Sequence, residues 1–239
     1  MTLTTRYEEI TAHDGGQFEA FCAVPAKGSG PGLLLFQEVF GINDNIRTLA
    51  ERLAAEGYVT LAPDMFWRLE RRFERKDESG FGDAIALVQK FDFTTAVDDI
   101  NATHGHLLGM SECTGKVGAI GFCLGGGLAF AAATMSRVDG HGIDAAVPYY
   151  GSPVNDLLGQ ADNLECPTMF HYGNNDAFIP EEKVAEVEAA VGGRSNVVFH
   201  RYDAGHAFSN WDAPSMYQKE AADLAWSRTL AFLSEQLTP

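Results

Sequence analysis

Cys123 sits in Gly121-Phe122-Cys123-Leu124-Gly125, followed by Gly126. An apolar run, Val117-Gly118-Ala119-Ile120, precedes it, and Leu128–Ala133 follows as a good helix former. A thiol on a tight turn between strand and helix is a candidate nucleophile, because the helix N-terminus favours a thiolate. An ordinary turn carrying a small inert thiol has the same spelling, so the residue needs partners. A cysteine nucleophile requires a base, and the base an orienting acid. His206, in Asp203-Ala204-Gly205-His206-Ala207-Phe208, lies just after a strand-like segment, Val197–Arg201. Catalytic groups gather on such loops. His171 and His200 fall inside strand-like runs, and His141 in a glycine-bounded loop. Asp176 follows Phe170-His171-Tyr172-Gly173-Asn174-Asn175, where strand gives way to turn. It competes with a plain turn or cap role, and with Asp203 as the acid. Glu38, after the apolar run Leu33–Phe36, is a fourth polar group at a strand end.

These residues need a scaffold that brings strand ends together. Strand-like runs at Tyr7–Thr11, Phe18–Val24, Leu33–Phe36, Tyr58–Ala62, Ala145–Tyr149, Thr168–Tyr172 and Val197–Arg201 alternate, after the first two, with helical patterns. The helices are expected at Ile46–Glu56, Asp83–Phe91, Thr94–Leu108, Pro180–Val191 and Ser215–Gln236. Alternation of this kind specifies an α/β fold: a mainly parallel twisted sheet with helices on both faces. The order nucleophile, acid, histidine with Gly-x-Cys-x-Gly is that of an α/β-hydrolase. In that fold the backbone N–H groups of Leu124 and Val39 are expected to form the oxyanion hole. A carboxylate beside a thiol raises the thiol pKa, which predicts that Glu38 keeps Cys123 neutral at rest. Residues 66–82, rich in Arg and Glu, fit neither pattern and are expected as a surface excursion or lid.

Composition bounds the function. The chain has 239 residues, 46% hydrophobic and 21% charged, as expected of one globular domain spanning 1–239. A net charge of −16 argues against nucleic acid and anionic membranes as partners. The N-terminal residues carry no apolar signal core, so a cytoplasmic setting is expected. Cys22, Cys113 and Cys166 form no Cys-x-x-Cys pair with each other or with Cys123; structural free thiols are expected there, and no metal site.

The combination resembles the dienelactone hydrolase (carboxymethylenebutenolidase) family. The resemblance rests on Gln37-Glu38-Val39-Phe40-Gly41, the Cys123 turn, Gly173–Pro180 and Ala204–Phe208, in order and nearly end to end. It implies a Cys123–His206–Asp176 triad, no cofactor, and a lactone or ester substrate opened through an acyl-enzyme, as dienelactone is to maleylacetate in aromatic degradation. It also implies that Glu38 holds the resting thiol and swings away when substrate arrives. The substrate-binding wall is expected from Phe40, Phe178, Tyr150, Phe81 and Asn210. Phe81 and Asn210 stand where the family holds a substrate carboxylate with arginines, and Ala207 where it has a serine. Arg68, Arg71, Arg72 or Arg75 could replace that charge if the excursion folds over the site. Uncharged acyl substrates, through carboxylesterase or thioesterase activity, are the alternative, with a non-catalytic relative as a third reading. The protein is expected as a monomer or small homo-oligomer.

Overall fold

The computed structural model describes residues 2–237. Eight strands form one sheet in the order β1-β2-β4-β3-β5-β6-β7-β8. Their ranges are β1 Thr4–Thr11, β2 Gln17–Val24, β3 Gly30–Phe36, β4 Val59–Pro63, β5 Cys113–Phe122, β6 Ala145–Tyr149, β7 Thr168–Gly173 and β8 Val197–Tyr202. Pairings β1–β2 and β2–β4 are antiparallel; all others are parallel. Every residue of β3 and β4 is buried, as required of strands covered on both faces.

The helices are α1 Asp44–Ala55, α2 Phe81–Val88, α3 Phe93–Gly109, α4 Leu124–Met135, α5 Glu181–Val191 and α6 Lys219–Leu237. Asn43 caps α1 by accepting from the Ile46 amide, and Asp92 caps α3 by accepting from the Thr94 amide. α4 packs against β3, β5 and β6, and α6 against β5, β6 and β7.

Three boundaries depart from the sequence pattern. α2 starts at Phe81 and stops at Val88, because the turn that follows leads straight into the Asp92 cap. α6 starts at Lys219, since residues 211–217 run in turns. Pro180 caps α5 from extended backbone (ψ 155°) and does not enter the helix. Residues 152–163 form short 3-10 turns that no periodicity announces.

The chain reverses direction across the sheet at β3. β4 lies on one side of it and β5 on the other, so their carboxyl ends open a crevice. Gln37–Phe40 leaves β3 there, and Cys123 leaves β5. Further along, Gly173 of β7 is level with Tyr202 of β8. The Asn174 and Asn175 amides bond to the Tyr202 and Ala204 carbonyls. The two loops therefore leave the sheet side by side, which sets Asp176 next to His206.

Candidate active site

Cys123 links β5 directly to α4, with φ 55° and ψ −114°. This sparsely populated backbone is held by what surrounds it. A Cβ on Gly121 would stand 1.9 Å from the Gly125 carbonyl oxygen, and one on Gly125 2.3 Å from that of Phe36. Glycine at both positions is what lets the turn close.

The side chain of Cys123 is half-buried, and its sulfur lies 3.1 Å from His206 Nε2. On the other edge of the ring, His206 Nδ1 is 2.7 Å from Asp176 Oδ2. Asp176 is itself fixed, its Oδ1 accepting from the amides of Phe178 at 2.8 Å and Ile179 at 3.0 Å. Its aspartate role as a turn residue and its contact with histidine are therefore one arrangement. Burial opposes charge on His206, but the Cys123 sulfur and the Asp176 carboxyl outweigh it and push the imidazole up to about 10. The rival acid, Asp203, is exposed and accepts from Asn175 Nδ2 at 2.7 Å instead. His171 is buried in the sheet between Tyr202 and Thr229. Burial pushes the Cys22 thiol up to about 12 and Cys166 up to about 11, and raises Cys113. All four cysteines are free.

Glu38 departs from expectation. Its carboxyl does not hold the Cys123 thiol. Oε1 accepts from the Tyr150 hydroxyl at 3.1 Å and Oε2 from Asn210 Nδ2 at 2.5 Å. Tyr150 in turn shares a 2.7 Å bond with Ser209. Burial raises the Glu38 carboxyl pKa, against the pull of His206, Asn210 and Tyr150. It raises Tyr150 too, so the phenol stays a neutral donor.

These contacts also correct the expected substrate wall. Phe40, Phe81 and Phe178 line the cleft together with Cys123, Val39 and Leu124. Tyr150 and Asn210 do not; both are buried, at 0% and 3% exposure, and serve Glu38. The cleft holds about 240 Å³. Ile85, Val88, Met216 and Pro153 also line it and were not anticipated. The spacing Phe81, Ile85, Val88 was the available signal, since it marks one stripe of a helix.

The excursion does not bring its arginines to the cleft. Arg68 pairs with buried Asp99 at 2.8 Å and with Asp14 at 2.6 Å. Arg72 pairs with Glu19 at 2.5 Å and Arg75 with Asp83 at 3.0 Å, while Arg71 lies over the Trp67 ring. The segment is pinned at its base by Asp64, which accepts from the Phe66 amide at 3.0 Å and the Arg72 amide at 2.7 Å. Higher up, the Arg75 amide bonds to the Phe40 carbonyl at 2.9 Å.

Comparison with known proteins identifies the family and the fold. The dienelactone hydrolase family model matches residues 18–237. The carboxymethylenebutenolidase of Pseudomonas sp. strain P51 is 34% identical over 233 residues, 97% of this chain and 95% of that one. Carboxymethylenebutenolidase 1 of Cupriavidus pinatubonensis is 32% identical over 228 residues, 95% of each. A crystal structure from Klebsiella pneumoniae, provisionally a dienelactone hydrolase, superposes with a TM-score of 0.84 at 26% identity, covering 98% of this chain and 99% of the other. The chain belongs to the dienelactone hydrolase family and is an α/β-fold ester hydrolase similar to the carboxymethylenebutenolidases.

Proposed function

We propose that the protein hydrolyses esters or lactones with Cys123 as nucleophile, His206 as general base and acid, and Asp176 as the group that orients it. One observation carries this: His206 spans the distance between the Cys123 sulfur at 3.1 Å and Asp176 at 2.7 Å. Those are the separations at which a proton passes between nucleophile and base.

His206 Nε2 takes the Cys123 proton, and the thiolate attacks the substrate carbonyl. The carbonyl oxygen becomes an oxyanion, met by the backbone N–H groups of Val39 and Leu124. The carbon–oxygen ester bond breaks as His206 returns the proton to the leaving oxygen. In a lactone that oxygen stays tethered to the acyl group; in an ester it departs as an alcohol. Water, deprotonated by His206, then attacks the thioester and frees the carboxylic acid and the thiol. Glu38, held on Tyr150 and Asn210, bounds the pocket beside the reacting sulfur and shapes the charge there. The free thiols suit a reducing, cytoplasmic setting.

The Cys123→Ala variant is expected to lose hydrolysis of p-nitrophenyl acetate by about 10⁴-fold or more. Cys123→Ser is expected to be poorly active, since a hydroxyl is the weaker nucleophile in a site arranged for a thiol. Full activity of Cys123→Ala would exclude this mechanism.

A further inference from the structure

The wall of the cleft carries information about the substrate that the nucleophile does not. α2 presents two apolar faces. Ala84 and Leu87 are buried against the body of the protein. Phe81, Ile85 and Val88 are only partly covered, and they face the cleft. A helix needs one apolar stripe to pack. The second stripe packs only partly against the core, through Phe81 and Val88, and lines the cleft together with Cys123. Across from it Phe178 is 52% exposed, its ring 5.9 Å from that of Phe81 and 5.0 Å from that of His206. Water contact with these rings is unfavourable, and an apolar ligand would relieve it. Phe40, 6.5 Å from Phe81, extends the same aromatic row.

Charge points the same way. Among the described residues, no lysine or arginine lines the cleft. Its ionisable groups are Glu38, Cys123 and His206, the last already committed to Cys123 and Asp176. A substrate carboxylate placed against α2 would leave water for an apolar wall without a partner, at a large cost.

Given the hydrolase reading above, we infer that the site selects uncharged esters and lactones whose apolar part, an aromatic ring or short alkyl chain, lies between α2 and Phe178. The test is a matched pair: methyl 4-acetoxybenzoate and 4-acetoxybenzoate, which differ in one negative charge at the far end of the ring. The wild-type enzyme should cleave the acetyl ester of the neutral compound with a kcat/KM at least about tenfold higher. Phe178→Ala should raise KM for the neutral compound by about tenfold and leave kcat nearly unchanged. Equal rates, or preference for the charged compound, would overturn the inference while leaving the hydrolase reading intact. Cleavage of neither compound, nor of p-nitrophenyl acetate, would remove the hydrolase reading and this inference with it.

Discussion

The floor and the wall of the cleft are built in opposite ways. The floor is polar and comes from strand ends: Cys123 after β5, Asp176 after β7, His206 after β8 and Glu38 after β3. Cys123, Asp176 and His206 are positioned by backbone, through the strained Cys123 turn, the amides that bind Asp176, and the paired loops after β7 and β8, while Glu38 is held by the side chains of Tyr150 and Asn210. The wall is apolar and comes from a segment outside the sheet, α2 together with Phe178. Its placement depends on an excursion tied down by ion pairs and a few hydrogen bonds. In the proposed mechanism, chemistry resides where the sheet fixes it, and substrate choice where the fold leaves freedom to vary.

Breaking the floor should have the larger effect. In Asp176→Asn, the retained oxygen can still accept from the Phe178 and Ile179 amides, so the loop survives. The new amide then donates to His206 Nδ1, which forces the proton onto Nε2. That nitrogen can no longer accept from Cys123. kcat is expected to fall by about 10²- to 10⁴-fold, with thermal stability little changed. A variant that unfolds, or one that keeps its rate, would show that Asp176 serves the loop and not the histidine.

Loosening the wall should be gentler and visible in stability. Burial pushes Asp64 up to about 6, against the pull of the Arg72 and Phe66 amides. A carboxyl raised above its ordinary value near 4 holds its proton more tightly in the folded state. Its contribution is therefore favourable below about pH 4 and is lost as pH rises to about 6, by roughly 3 kcal/mol. Thermal melts of the wild type and Asp64→Asn at pH 4 and pH 6.5 should show a shallower pH slope in the variant. Identical slopes would mean that Asp64 carries no such strain and that the wall is anchored elsewhere.

The same contrast explains what the sequence made legible. Cys123, Asp176 and His206 were readable one by one, because glycines and strand ends mark where the backbone must turn. The buried parallel strands β3 and β6 were equally plain as apolar runs. The excursion was not, because Arg68, Arg72 and Arg75 are spent on Asp99, Glu19 and Asp83, partners set by tertiary packing. Tyr150 and Asn210 were misplaced for a related reason. Tyr150 directly follows β6, and Asn210 stands where the family has an arginine, yet both side chains hold Glu38 and do not line the cleft. Nothing in local spacing distinguishes a side chain that lines a pocket from one that supports its lining.

The most direct test of the central claim is to catch the acyl group on the enzyme. Acid quenching of the wild type during turnover of a slowly hydrolysed ester, followed by intact mass measurement and peptide mapping, should show one added acyl group on the peptide containing Cys123. The adduct should decay as substrate is exhausted and be missing from Cys123→Ala. Turnover without any adduct at Cys123, or an adduct on another residue that is equally abundant in Cys123→Ala, would contradict the account.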